Sequence, residues 1–190
     1  ETLLLAMTRG AGLPGLAAMP EQFVRMGVTF HRPLLAVHAL AIRTWLRDAN
    51  IPYIEDPSNS DESLTRNRIR RQLLTVLDEN FPGFRAQFAR SARHAAQGKR
   101  LLTSLAELDL AQTGSPPAIA ELQKMASERQ ANVLRHWLKS SYGTSPSDAQ
   151  LRELIKQIGA CVTRGHRIQI KVGAGQVRRV GKLIVFEPLA

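Results

Sequence analysis

The sequence predicts a mostly α-helical chain in two parts, the second finished by a small antiparallel β-sheet. Three observations carry this. Apolar residues recur at helical spacing in six stretches between residues 1 and 158. Phe81-Pro82-Gly83 breaks that pattern, which predicts domains over 1–81 and 82–190. From Arg167 the pattern switches to short β-type runs separated by Gly173-Ala174-Gly175 and Gly181-Lys182, which predicts three strands.

Residues 1–8 have a helical pattern that Gly10-Ala11-Gly12-Leu13-Pro14-Gly15 ends in a glycine-rich loop. Short β-type runs flank Gly27 between Phe23 and Phe30. Over 34–47, Leu34, Val37, Ala41 and Trp45 share one helical face, and Asn50-Ile51-Pro52 stops the helix. Tyr53-Ile54 is an extended piece leading into Asp56. Ser60 or Asp61 can N-cap the next helix, which runs to about Glu79 with Ile69, Leu73, Val76 and Leu77 as its apolar stripe. A long helix follows over 83–111, with Phe84, Phe88, Ala92, Ala95, Leu102 and Leu105 inward. Thr113-Gly114-Ser115-Pro116-Pro117 is a loop.

Ser127-x-x-Gln130 and Ser147-x-x-Gln150 both carry the capping-box pattern, in which two side chains satisfy orphan amides at a helix start. The first opens a helix with Leu134, Trp137 and Leu138, the second one with Leu151, Leu154, Ile155 and Ile158. Gly143 and Gly159 stand where helices commonly end in a left-handed residue. The strands are expected over 167–172, 176–180 and 183–186. Trp45 and Trp137 both fall at core spacing.

A chain of 190 residues can bury a real core in one or two domains. No run approaches the roughly 18 apolar residues of a membrane helix, and no basic-then-apolar leader opens the chain, so a soluble protein without a membrane partner is expected. The first residue is Glu1, inside a helical pattern, which predicts that the sequence is cut from something longer. The single cysteine, Cys161, excludes an internal disulfide framework and reads as a small buried hydrophobe. A reducing cytoplasm fits this usage. The net charge is +10, and all of the excess sits in 61–100 and 161–190. Basic residues interspersed in structured segments are the footprint of a phosphate-backbone partner.

Gly10-x-Gly12-x-x-Gly15 matches a dinucleotide fingerprint, but a helix precedes it and Pro14 lies inside, so a Rossmann site is not expected. A glycine loop beside Arg9 can still bring backbone amides close to a nucleotide. Asp56 is the leading candidate for a functional carboxylate; Asp-Pro starts turns and Asn59 can close one, so a purely structural turn is the competing account. Arg66 and Arg70 share a helix face, as do Asn67 and Arg71, and such a face can fork onto phosphates. His31, His38, His94, His136 and His166 show no metal spacing, and no metal site is expected. In the tail, Arg164, Arg167, Lys171, Arg178 and Arg179 surround the expected strands and could form a basic RNA surface.

Five motifs occur in one order: Glu1-Thr2-Leu3-Leu4-Leu5, Thr8-Arg9-Gly10-Ala11-Gly12-Leu13-x-Gly15-Leu16, Arg32-Pro33-Leu34-Leu35, Asp56-Pro57-Ser58-Asn59 and Arg66-Asn67-Arg68-Ile69-Arg70. Together they resemble the tRNA(Ile)-lysidine synthetase family of PP-loop ATPases, specifically over roughly residues 1–85 and loosely beyond. The resemblance implies that 1–81 is the C-terminal part of an α/β PP-loop catalytic domain and 82–190 a helical tRNA-binding domain. It implies ATP and Mg²⁺ as cofactors, free lysine and the CAU-anticodon tRNA(Ile) as substrates, and a cytoplasmic ligase, with pairing into a homodimer left open. ATP adenylates the 2-position oxygen of the wobble cytidine, and the ε-amine of lysine then expels AMP. By the same resemblance Asp56 is the catalytic carboxylate, Arg9, Gly10 and Gly12 line the nucleotide, and Asn59, Arg66, Asn67 and Arg70 hold the tRNA.

The family's Ser-Gly-Gly-x-Asp-Ser phosphate loop does not occur in these 190 residues, so this stretch alone is expected to bind ATP poorly and to serve tRNA binding. A plain RNA-binding module and a PP-loop tRNA thiolation enzyme are the alternatives. The first leaves the ordered motifs without a reason; the second commonly uses cysteine pairs, and Cys161 is alone.

Overall fold

The computed structural model describes residues 1–163 and 165–189; Arg164, part of the expected basic surface, lies outside them. The chain forms two compact units, 1–99 and 100–190.

In the first unit, α1 (Thr2–Thr8) leads through Gly10 into a one-turn helix α2 (Leu13–Leu16), where the glycine-rich sequence predicts loop. Pro14 sits in its first turn, where a missing N–H costs nothing. Strands β1 (Gln22–Arg25) and β2 (Val28–His31) pair antiparallel around Met26-Gly27. Both turn residues have positive φ, 52° and 75°, the geometry that matches hairpin twist. Phe23 stacks on Phe30 across the pair at 5.0 Å, with the Arg32 guanidinium 4.4 Å over Phe23.

Helix α3 (Ala39–Asp48) starts later than expected, because Leu34 to Val37 form turns after Pro33. Its apolar face is open: Trp45 is 62% exposed and Leu40 74%, so Trp45 is not a core residue of this unit. The next helix also begins late. Asp61 accepts the Ser63 N–H in a turn, and Leu64 precedes α4 (Thr65–Arg68).

Between α4 and α5 (Leu74–Asn80) the ladder widens into a π-turn, Ile69–Leu73. This changes the expected stripe. In an α-helix Ile69 would share its face with Leu73; in a π-turn the partner is five residues on. Accordingly Ile69 and Leu74 are buried with Phe84, while Leu73 and Val76 are 41% and 52% exposed. Leu4, Leu5, Leu77 and Phe88 complete this small core, with Phe84 and Phe88 edge-to-face at 5.3 Å.

The long helix α6 (Phe84–Thr113) matches its expected span. Its inward face differs in the second half, where Leu102 is 42% exposed and Ala106 and Asp109 are buried. Asp109 is reached by the Arg129 guanidinium, which hydrogen-bonds both carboxylate oxygens.

The second unit has the larger core. A short helix α7 (Ile119–Gln123), which the sequence pattern does not predict, packs with α8 (Ser127–Tyr142), α9 (Asp148–Gly159) and the sheet. Strands β3 (Gln169–Val172), β4 (Gly175–Val180) and β5 (Leu183–Pro188) form an antiparallel meander in that order. Gly175 allows it to close: a Cβ there would meet the Phe186 ring at 2.2 Å. Trp137, Leu138, Leu154, Ile158, Val177 and Ile184 are fully buried, and Cys161 joins them as expected.

The two Ser-x-x-Gln motifs turn out differently. At α9 the box forms: the Gln150 N–H donates to Ser147 Oγ at 3.2 Å and the Ser147 N–H to Gln150 Oε1 at 2.7 Å. Gln150 Nε2 also donates to the Lys171 carbonyl, tying the helix start to β3. At α8 the N-cap is Ala126 and Gln130 Nε2 instead donates to the Met125 carbonyl, so no box forms. Ser147→Ala should therefore cost about 1 kcal/mol in urea unfolding and Ser127→Ala only a few tenths. Gly143 caps α8 in the left-handed region at φ 67°, whereas Gly159 is the last residue of α9, capped by Ala160 in the right-handed region.

Candidate functional site

Asp56 stands in extended backbone at the head of a single 3-10 turn, Pro57–Ser60. Its Oδ1 accepts the Ser58 N–H at 2.8 Å, and its carbonyl accepts the Asn59 N–H at 3.0 Å. Pro57 presets the first turn dihedral, and Ser60 Oγ donates back to the Pro57 carbonyl at 2.7 Å. The Asp-Pro-Ser-Asn motif therefore builds its own scaffold. The Ser58 amide holds the exposed Asp56 carboxyl below its ordinary 3.8, so it is a carboxylate throughout the neutral range.

The turn is fastened to α4 by Asn67. Its Nδ2 donates to the Ser58 and Asp61 carbonyls, each at 2.7 Å, and the residue is only 5% exposed. The amide expected to hold tRNA has both of its hydrogens on the backbone of the turn.

Arg70 meets Glu1 from 69 residues away. Nε donates to Oε1 at 2.7 Å and Nη2 to Oε2 at 3.2 Å, a two-pronged pair. Burial pushes the Glu1 carboxyl up, but the Arg70 hydrogen bond and the charges of Arg70 and Arg66 hold the group below its ordinary 4.5. The same hydrogen bond raises Arg70 further above its ordinary range. Nothing in the local sequence signals this pairing.

These elements surround a cavity of about 490 Å³. Arg9 enters from the end of α1, Ser58 and Asn59 from the turn, and Arg66, Asn67 and Arg70 from the helical segment. Five of the eight expected site residues thus line one cavity. Gly10, Gly12 and Asp56 do not line it. Ser58 does, although only its place in the motif pointed to it. Arg66 and Arg9 form no ion pair within 4.0 Å among the described residues, while Arg71 pairs with Glu62 at 3.3 Å. Cations beside the turn's polar groups suit a phosphate-bearing ligand. Among the described residues no group of three His, Cys, Asp or Glu side chains could hold a metal ion, so no step through Mg²⁺ is assigned to them.

The expected basic sheet surface is only partly free. Arg178 pairs with Glu187. Arg179 donates to the Gly181, Thr163 and His166 carbonyls at 2.7, 2.7 and 3.0 Å, so it fastens the loop before β3. Arg167 and Lys171 remain exposed.

Comparison with known proteins places these features. Residues 1–77 match the model of the PP-loop domain, and 118–183 that of the TilS substrate binding domain. The tRNA(Ile)-lysidine synthase of Polaromonas naphthalenivorans is 54% identical over 190 residues, all of this chain and 58% of that protein. The synthase of Burkholderia pseudomallei is 38% identical over 166 residues, 84% of this chain and 34% of that protein. That of Pseudomonas fluorescens is 38% identical over 149 residues, 73% of this chain and 34% of its own. The chain therefore spans between a third and three-fifths of the length of these relatives. With both domain matches in this order, and identity extending from Glu1 to Ala190, the chain belongs to the tRNA(Ile)-lysidine synthase family.

Proposed function

We propose that this chain is part of a cytoplasmic ATP-dependent ligase that joins free lysine to the wobble cytidine of the CAU-anticodon tRNA(Ile). In this reading 1–81 belong to the catalytic domain and 82–190 to the tRNA-binding domain. No helix among the described residues is long and apolar enough to cross a membrane. The observation that carries the reading is the convergence of three sequence-distant motifs, through Arg9, Asn59, Arg66 and Arg70, on one cavity.

The reaction asks two things of these residues. Adenylation brings phosphate charge to the base, and Arg9 and Arg66 supply cations beside it, with ATP and Mg²⁺ providing the activating phosphoryl chemistry. Gly10 and Gly12 let the backbone near Arg9 approach the nucleotide. Lysine must then present its amine to the activated carbon. Asp56 suits holding the lysine ammonium better than deprotonating it: its carboxyl lies below 3.8, far from the roughly 10.4 of a lysine side chain. Arg70, oriented by Glu1, and Asn59 contact the tRNA.

The test uses the full-length protein with ATP, Mg²⁺, labelled lysine and CAU-anticodon tRNA(Ile). Label should appear in the wobble nucleoside and be absent with methionine tRNA. Apparent tRNA affinity should fall steeply with salt, as counterion release requires. Binding without incorporation would sink the lysidine reading in favour of an RNA-binding role. Sedimentation of the same protein, with and without tRNA, measures whether two copies pair.

A further inference from the structure

We infer that Asn67 is a positioning residue: it fixes the Asp56–Asn59 turn for the reaction and does not itself touch the tRNA. The inference rests on the reading above, in which Asp56 and Asn59 act at this site.

Asn67 is the one buried polar side chain among the described residues of the first unit. A buried amide is costly unless its hydrogens are bonded. Here both are, each at 2.7 Å, to the carbonyls of Ser58 and Asp61 on either side of Asn59. The far end of this link is equally fixed. The Asn67 N–H donates to the Leu64 carbonyl at 2.9 Å, and Ile69, two residues on, is in the core with Leu74 and Phe84. A continuous path thus runs from the apolar core through one side chain to the turn.

The chemistry of the link admits few residues. It needs two donors on one atom, no charge, and the reach of asparagine. Serine offers one donor. Aspartate offers none when ionised and would face two carbonyl oxygens. Glutamine is one methylene too long. Without the two bonds the turn keeps its internal Asp56–Ser58 contact but loses its attachment to α4, so Asn59 and the Asp56 carboxylate move relative to Arg66 and Arg70.

The test compares Asn67→Ser and Asn67→Asp in the full-length enzyme. Serine should lower kcat for lysine incorporation about tenfold and aspartate about 10²-fold or more, the scale of an ångström-level misplacement. The KM for tRNA should stay within about twofold, with the salt dependence unchanged. Amide hydrogens of the 56–64 segment should exchange faster in both variants. A KM for tRNA raised well beyond twofold in the serine variant would make Asn67 a tRNA contact and overturn the inference. Unchanged kcat, or unchanged protection of 56–64, would overturn it as well. The serine variant keeps the test valid if the aspartate variant does not fold. Asp56→Asn, assayed alongside, separates the two claims: full activity there would refute the role of Asp56, while the exchange readout still judges the hold of Asn67 on the turn.

Discussion

Replacing Asp56 by Asn is expected to lower lysine transfer by the full-length enzyme about 10²–10³-fold, the usual effect of removing one preorganised electrostatic group. The fold should be untouched. Asparagine is as good an N-cap as aspartate, and its carbonyl oxygen can accept the same Ser58 N–H. Only the charge is lost. Affinity for tRNA should therefore hold while the lysine-dependent step fails, and AMP–tRNA should accumulate when lysine is supplied. Single-turnover assays that follow adenylation and lysine incorporation separately measure this. Equal loss in both steps would mean that Asp56 serves the nucleotide and not the amine.

The largest effect on stability is expected from Trp137→Ala. The side chain is fully buried in the second unit, edge-to-face with Tyr142 at 5.5 Å, and Tyr142 in turn meets Phe186 at 4.7 Å. Truncation leaves a large cavity where α8 meets the sheet and should cost about 3–5 kcal/mol. For a unit of this size the melting temperature should drop by more than about 10 °C. Near-ultraviolet circular dichroism follows the transition. A shift of a degree or two would show that the unit collapses around the gap.

Trp45 carries the same periodic signal and has no comparable burial, which shows what periodicity measures. It identifies an apolar face, and a face needs a partner. For α8 and α9 the partners lie within the described chain, so Trp137, Leu154 and Ile158 could be read as core directly. The paired strands were legible for a related reason: Gly27, Gly173 and Gly181 mark turns whose φ is positive. The capping pattern at Ser127 was visible yet misleading, because the chain entering α8 lets Ala126 take the cap position and draws Gln130 to Met125.

The site was legible in part, because its motifs are local. Asp-Pro-Ser-Asn announces a turn, and Arg66 with Arg70 announces a basic face. The pairing of Glu1 with Arg70 and the two bonds of Asn67 depend on chain segments brought together by folding. No spacing rule encodes them.

The π-turn at Ile69–Leu73 makes the number of residues between Asn67 and Leu74 a dimension of the protein in its own right. The end of the helix facing the cavity and the end seated in the core are indexed to each other by one additional residue. Deleting any one of Arg71, Gln72 or Leu73 would remove that offset and turn one end against the other by about 100°. Either Arg66 and Asn67 would leave the cavity or Leu74 would leave the core. Changing the identity of the same exposed residues leaves the offset intact. The segment is therefore permissive toward side-chain chemistry and strict about chain length.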